Sequence, residues 1–306
     1  MQNLWSKFFN KFVNRGGSPV LYLRKWFTMA LNWRVFLLRR KVGAELASKI
    51  TFEDMLVVNR VHSTGYAMFE SQLALTQELI DESQRLLNAY IAEMSADSMP
   101  NMGLSFMASL LSKNDVTAES IFVRFASQPR LLSMASKYLG ISPYLSDISL
   151  IYSFDTTESP AATQIWHRDY DDTRMFKIFV YCSDVLEPAA GALHVAHKNA
   201  VKGIYATPLY ASRRYPDAKF FKMAKESDTT ALCGPAGTTF ICDTHQSYHY
   251  GSRCTDRPRL ACFITYQTYA GLYKPGKVVD PPSDAALPLK LLLARAPSLV
   301  ANSHTS

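Results

Sequence analysis

Apolar and polar residues alternate at helical spacing through the first half of the chain. Between residues 51 and 94, apolar positions recur at helical spacing, one or two turns apart, among Gln, Glu, Asp and Arg, for example Leu79, Ile80, Leu86, Leu87 and Ile91. A similar pattern over residues 118–138 ends where Gly140 and Pro143 interrupt it. Because this spacing is typical of amphipathic helices, residues 46–140 are predicted to form a set of supporting helices.

Short runs rich in Ile, Val, Tyr, Phe and Thr replace this pattern in the second half. They cover residues 147–154, 163–170, 175–182, 191–196, 238–244 and 259–269. Turn signals separate them, notably Ser159-Pro160 and the Gly234-Pro235 pair. Helices followed by many short strands predict an α+β fold, in which an antiparallel double-sheet jelly roll at residues 145–270 holds the functional site.

Two segments depart from the strand series. Residues 205–227 interrupt it and are predicted to be a long insertion that acts as a lid or binding loop. After Gly276 the chain is punctuated by prolines, and residues 276–306 are predicted to be a docked segment followed by a C-terminal tail. The prediction is therefore one main domain, residues 46–275, with an N-terminal segment at 1–45 and a tail at 276–306.

The N-terminal segment, residues 1–45, is basic and aromatic. No acidic residue precedes Glu45, whereas nine Lys or Arg residues do. Trp and Phe residues alternate with these charges, a mixture expected of a helix in a membrane interface. The most apolar run, residues 26–38, includes Arg34 and is shorter than the roughly 20 residues that a spanning helix needs. We expect an amphipathic segment that either contacts a membrane peripherally or packs on the protein's own core.

Charge and cysteine content narrow the function classes. The formal net charge is +7, but the basic excess lies in residues 1–45, so the main domain lacks the charge pattern of a nucleic-acid-binding protein. The five cysteines include no CxxC pair, which argues against a disulfide framework and a structural zinc site. We expect no nucleic-acid partner and a reducing, cytoplasmic setting.

An HxD motif on a predicted strand is the first candidate for chemistry. His167 and Asp169 are separated by one residue, and alternate residues of a strand point to the same face, so both side chains can bind one metal ion. Two imidazoles and one carboxylate on one face of an octahedron leave three positions open, which is typical of non-haem iron(II) oxygenases. Because a motif this short occurs by chance, a third ligand is needed to support it.

A later segment offers this third ligand. His245 and His249 both follow the predicted strand 238–244, and either could end the same strand. Arg259 lies ten residues after His249 and opens another strand. Its planar, permanently charged guanidinium group suits a carboxylate partner in a buried place. Arg257 is the alternative, but Pro258 makes it part of the turn.

On these residues the chain resembles the phytanoyl-CoA dioxygenase-like family, over about residues 50–270. Its first ligand strand and the strands after it are similar to Trp166-His167-Arg168-Asp169, Lys177–Tyr181, Asp184-Val185 and Gly191-Ala192-Leu193. Its second ligand strand and its 2-oxoglutarate arginine are similar to Gly234-Pro235-Ala236-Gly237, Asp243-Thr244, His249, Gly251 and Arg259. The N-terminal segment and the tail lie outside the likeness.

The resemblance implies a cupin-like double-stranded β-helix and an iron(II) ion held by His167, Asp169 and His249. It favours His249 over His245, because Gly251 and the spacing to Arg259 then match the family. The implied co-substrates are 2-oxoglutarate and O2, with ascorbate as a supporting reductant. The implied reaction is hydroxylation of a C–H bond in a small-molecule or lipid-linked substrate, with release of succinate and CO2.

One departure from the family pattern concerns the 2-oxoglutarate site. The family often has a small hydroxyl residue two positions after the arginine, where this chain has Ala261. Another donor must then assist the distal carboxylate, and Lys177 and Tyr152 are the candidates. Two other functions stay open: a catalytically silent jelly-roll binding or scaffold protein on a membrane surface, and an oxygenase that acts on protein side chains.

Overall fold

The computed structural model describes residues 19–96, 106–112, 115–203, 213–271 and 281–294. Helices come first in the described chain: α1 (Pro19–Leu31), α2 (Trp33–Ala47), α3 (Phe52–Thr64), α4 (Thr76–Ala96), α5 (Ile121–Ala126) and α6 (Pro129–Leu139). The Thr51 hydroxyl accepts a hydrogen bond from Asp54 N at 3.1 Å and caps α3, which Gly65 ends at a φ of 94°. The predicted N-terminal helices are confirmed.

Nine strands follow or interleave with the helices in the described residues. They are β1 (Tyr66–Met68), β2 (Met107–Ser109), β3 (Tyr144–Ser153), β4 (Phe176–Tyr181), β5 (Leu193–Ala196), β6 (Thr229–Leu232), β7 (Thr239–Cys242), β8 (His249–Tyr250) and β9 (Arg259–Gln267). One antiparallel sheet has the order β1-β7-β4-β9-β3-β2, and a smaller one has the order β6-β5-β8. The two sheets face each other, so the jelly-roll prediction is confirmed.

The larger sheet separates the helices from the smaller sheet. Alternate residues of its central strands, such as Ile148, Leu150 and Ile264, belong to the hydrophobic core that includes the helices. The intervening residues, such as Phe179 and Phe240, pack in a second cluster with the smaller sheet. This period-two alternation is what an antiparallel strand buried on both faces produces. The inner face of the larger sheet therefore lines any site between the two sheets.

The strand predicted at residues 163–170 is not regular. A 3₁₀ turn at Ala162–Gln164 begins it, and only isolated bridges pair Trp166 with Tyr215 and His167 with His249. The Gln164 side chain explains the difference, because its amide Nε2 donates to Ser252 O at 2.7 Å and its Oε1 accepts from Ala161 N at 3.0 Å. These bonds turn the backbone and replace a strand ladder.

The predicted insertion at residues 205–227 lies partly outside the described residues, which resume at 213. From there it contains helix α7 (Asp217–Phe220), and Phe220 stacks on Trp166 with 4.1 Å between the ring centroids. Within the predicted tail, helix α8 (Leu287–Leu293) is docked by Arg39, whose Nη2 donates to Leu291 O at 2.7 Å. Residues 272–280 and 295–306 lie outside the described residues.

Candidate metal centre

His167, Asp169 and His249 come together between the two sheets. Their ligand atoms all lie within 4.8 Å of one another, and His167 Nε2 is 3.8 Å from Asp169 Oδ1. Reciprocal backbone hydrogen bonds fix the two histidines side by side, from His167 N to His249 O at 3.0 Å and from His249 N to His167 O at 2.9 Å. Asp169 N donates to Thr244 O at 2.8 Å and positions the carboxylate. The three predicted ligands form one group.

Backbone carbonyls orient both imidazoles. His167 Nδ1 lies 2.8 Å from Ile165 O, and His249 Nδ1 lies 3.2 Å from Ser247 O. Since a carbonyl oxygen only accepts, each Nδ1 has to hold the proton and donate it. The remaining nitrogen, Nε2, is then an unprotonated ligand atom on each ring, as in protein metal sites generally.

Protonation states in the group suit metal binding. Burial, followed by the neighbouring His167, lowers the pKa of His249 to about 3. Burial also lowers the pKa of His167, and the Asp169 carboxylate opposes this only in part. Burial raises the pKa of Asp169, but the electrostatic interactions with Lys177 and the two histidines outweigh this effect. The pKa of Asp169 therefore lies below its usual value. At neutral pH the group offers two neutral imidazoles and one carboxylate, the forms that bind a metal ion.

His245, the alternative ligand, faces elsewhere. Its Nδ1 donates to the backbone oxygen of Asp169 at 2.9 Å, and it is not a member of the ligand group. Burial, followed by the positive charge of Arg168, lowers its pKa to about 4, so it is neutral near pH 7. His245 therefore contacts the main chain of Asp169 and helps to position it, whereas His249 belongs to the group of candidate ligands.

A cavity of about 200 Å³ extends from the three ligands. Its polar lining includes Asp147, Ser149, Lys177, Ser252 and Arg259, and its apolar lining includes Ile151, Phe179, Leu193 and Phe263. Larger surface pockets lie on the helical side, for example against Leu46 and Pro129, and contain none of the predicted ligands. Among the pockets formed by the described residues, the cavity at the ligand group combines metal-binding side chains with an apolar lining.

Arg259 lies inside this cavity and is almost fully buried, with 2% of its surface exposed. Its Nη1 donates to Gly191 O at 2.5 Å, and its Nη2 donates to Ser252 Oγ at 2.7 Å. In the described part of the chain, no carboxylate lies within ion-pair distance of its guanidinium, and its buried Nε has no hydrogen-bond partner. Because a buried charge without a counter-charge is costly, this position suits an anionic ligand. Arg257, the alternative, is half exposed beside Asp256 and Glu187.

Two serines beside Arg259 were not predicted. Ser252 Oγ accepts from Arg259 and lies 3.0 Å from Ser153 Oγ, which is itself 3.4 Å from Arg259 Nη2. Ser252 has a φ of 62°, an uncommon conformation for a residue with a side chain. Ser153 pairs directly with Arg259 across β3 and β9. Ser252 and Ser153 therefore supply two hydroxyl groups beside Arg259, which the side chain of Ala261 cannot do.

The two donor candidates, Lys177 and Tyr152, lie in different places. Lys177 lines the cavity, and its Nζ donates to Asp169 Oδ2 at 3.3 Å. Tyr152 points to the opposite face of β3, where it packs against the helical core and meets Phe154 edge to face. The structure does not bring Tyr152 to the cavity, because its neighbour Ser153 occupies the inner face.

Comparison with known proteins identifies the fold. No protein-family model and no curated protein sequence matches the chain. Among solved structures, iron-bound EctD from S. alaskensis matches with a TM-score of 0.53 and 18% identity, over 74% of this chain and 80% of that chain. The EctD apoform gives 0.51 and 18%, over 77% and 84%. AviO1 from Streptomyces viridochromogenes Tue57 gives 0.50 and 12%, over 74% and 100%. The chain has a cupin-like double-stranded β-helix core with supporting N-terminal helices.

Proposed function

We propose that the protein is an iron(II)- and 2-oxoglutarate-dependent dioxygenase of the phytanoyl-CoA dioxygenase-like kind. One observation supports this most strongly: the His167, Asp169 and His249 group lines the same cavity as the buried Arg259, which has no carboxylate partner among the described residues. A metal site alone would suit many functions. A metal site together with a buried guanidinium suits a metal-bound co-substrate that has a second carboxylate.

The donor set fits iron(II). Two neutral imidazoles and one carboxylate form the facial group that is typical of non-haem iron oxygenases, since it leaves coordination positions open for co-substrates. Bound iron(II) would supply the oxidative chemistry, with O2 as oxidant, 2-oxoglutarate as co-substrate and ascorbate as a supporting reductant. Lys177 would hold the Asp169 carboxylate ionised and in place through its 3.3 Å contact.

Arg259 would bind the distal carboxylate of 2-oxoglutarate. Its guanidinium group offers paired donors, and the hydroxyl groups of Ser252 and Ser153 would complete the contact. Leu193 and Phe263 line the same cavity and would pack against the methylene groups between the two carboxylates. Lys177 lies beside the metal ligand Asp169 and not among these contacts, so it would assist at the iron end of the co-substrate.

The proposed reaction is hydroxylation of a C–H bond in a small-molecule or lipid-linked substrate. Asp147 and Ser149 lie on the inner face of β3, and the Ser149 hydroxyl donates to Asp147 Oδ2 at 2.5 Å. Neither residue is needed for the metal or for the arginine, so both are available to a substrate with hydrogen-bond donors. A small cavity favours a small molecule over a polypeptide.

Turnover of 2-oxoglutarate tests the proposal. Purified protein with iron(II), ascorbate and O2 is expected to release succinate, and a screen of small molecules is expected to find compounds that stimulate the release. The variant His249→Ala should abolish it, whereas His197→Ala, which changes an exposed histidine outside the cavity, should not. Iron-loaded protein that neither binds 2-oxoglutarate nor releases succinate would instead support the silent binding protein.

A further inference from the structure

Helices α1 and α2 expose an unusual number of large apolar side chains. Thirteen such residues are exposed in the described chain, and seven of them fall between residues 22 and 37. Their exposed fractions range from 46% to 81%: Tyr22, Leu23, Trp26, Phe27, Leu31, Trp33 and Leu37. Scattered exposed apolar residues are ordinary, but a cluster of this density marks an interaction surface. We propose that this outer face of α1 and α2 binds an anionic lipid surface.

The opposite side of the two helices is already held by the protein. On α2, Val35, Val42 and Leu46 are buried in the core, and Arg39 Nη1 donates to Ser142 O at 3.2 Å. Gly43 touches the 141–142 backbone so closely that an added Cβ would lie 2.3 Å from Ser142 N. Because these contacts fix the helix, its outer face cannot rotate inward to bury its apolar side chains.

An ion pair also fastens α1 to the main domain. Lys25 Nζ donates to Asp172 Oδ1 at 2.7 Å and to Thr173 Oγ1 at 2.6 Å. Asp172 is fully buried and accepts from Thr268 N at 2.8 Å. It lies three residues after the ligand Asp169. A surface bound by α1 would thus be connected to the loop that follows the metal group.

The positive charge of the outer face indicates which kind of partner binds there. Arg34, Arg40 and Lys41 are exposed, and the chain contains no acidic residue before Glu45. The Arg34 guanidinium lies over the Trp33 ring at 5.6 Å from its centroid. Aromatic and aliphatic side chains beside exposed cations are expected of a helix that lies in the headgroup region of an anionic membrane. A second copy of the chain would bring like charges together, which disfavours a homodimer on this face.

None of the described helices is both long and apolar enough to span a membrane. The proposed docking is a contact of the outer face with the lipid surface. It is independent of the proposed iron chemistry, and it would bring the enzyme to lipid-linked substrates if that chemistry holds.

Vesicle sedimentation tests the proposal with the full chain. Vesicles of phosphatidylcholine mixed with phosphatidylserine are expected to bind the protein at least about tenfold more tightly than phosphatidylcholine alone, and added salt should weaken binding. Two variants should each lose about tenfold or more of this affinity: Trp26→Ser with Phe27→Ser, and Arg34→Glu with Arg40→Glu and Lys41→Glu.

Control variants change exposed apolar and cationic residues that lie off the face. Phe52→Ser with Leu56→Ser alters exposed apolar residues of α3, and Lys222→Glu with Lys225→Glu alters exposed cations elsewhere. Both controls should bind vesicles as the wild type does, and thermal unfolding should show that every variant is folded. The proposal is overturned if the wild type binds neither vesicle, binds both equally, or loses no affinity in the two face variants. A dimer that Trp26→Ser with Phe27→Ser dissociates would also overturn it.

Discussion

Replacement of Arg259 probes the proposed co-substrate site. Arg259→Lys keeps the positive charge but removes the planar fork, so at least one charge-assisted hydrogen bond to the distal carboxylate is lost. Such a bond contributes about 1.5–3 kcal/mol when water is excluded, as it is from a side chain with 2% exposure. The dissociation constant for 2-oxoglutarate should therefore rise about 10- to 100-fold. Arg259→Met removes the charge as well and should weaken binding further.

Isothermal titration of the anaerobic iron(II) protein with 2-oxoglutarate measures this effect. Arg257→Lys is the matched control, because Arg257 is half exposed, pairs with Asp256 and lies outside the cavity. Its affinity for 2-oxoglutarate should equal that of the wild type. Thermal unfolding curves should first show that Arg259→Lys and the wild type are both folded. Equal affinity of the two proteins for 2-oxoglutarate would then refute the role given to Arg259.

Two further predictions concern the histidines and a buried carboxyl group. His249→Gln should abolish stoichiometric iron binding. His245→Gln should retain it with an affinity about 10- to 100-fold weaker, because His245 only positions the main chain of Asp169. Metal analysis after dialysis distinguishes the two variants, and the opposite order would contradict the ligand assignment. Burial raises the pKa of Asp243 from 3.8 to about 6, so this group contributes stability that is present below pH 4 and lost as the pH rises through 6. Wild-type protein should therefore lose stability relative to Asp243→Asn between about pH 4 and pH 6 in thermal unfolding, and a constant difference would show that the carboxyl group does not titrate there.

The ligand group could be predicted from the sequence because its signals are local. His167 and Asp169 are separated by one residue, and Arg259 lies ten residues after His249, a spacing that resembles a known family pattern. The choice between His245 and His249 rested on that resemblance, since the residues alone allowed both. The main-chain bonds between His167 and His249 place these two rings side by side and favour His249 as the proposed ligand.

The environment of Arg259 could not be predicted, because it depends on non-local pairing. Ser153 meets Arg259 only through the register of β3 with β9, more than a hundred residues along the chain. A shift of one residue exchanges the two faces of a strand, so Ser153 lies beside Arg259 and its neighbour Tyr152 does not. In β3, Ile148 and Leu150 face the helical core, and Asp147 and Ser149 between them face the cavity. This alternation in the sequence indicates which residues of β3 face the cavity.

Short elements were also missed for a physical reason. Strands β1, β2, β6 and β8 have two to four residues each in the structure, too few for an alternating pattern to stand out. The opposite error occurred at residues 163–170, where strand-favouring residues such as Thr163, Ile165 and Tyr170 suggested a strand. There, side-chain bonds from Gln164 turn the backbone, and composition alone does not reveal them.

Visible absorbance of the anaerobic iron(II) protein during titration with 2-oxoglutarate tests the central claim most directly. Chelation of the keto acid by iron(II) produces a charge-transfer band that neither component shows alone. The wild type should develop this band to saturation at one 2-oxoglutarate per chain, and His249→Ala should not develop it. Iron-loaded wild-type protein without the band, or an unchanged band in His249→Ala, would contradict the account.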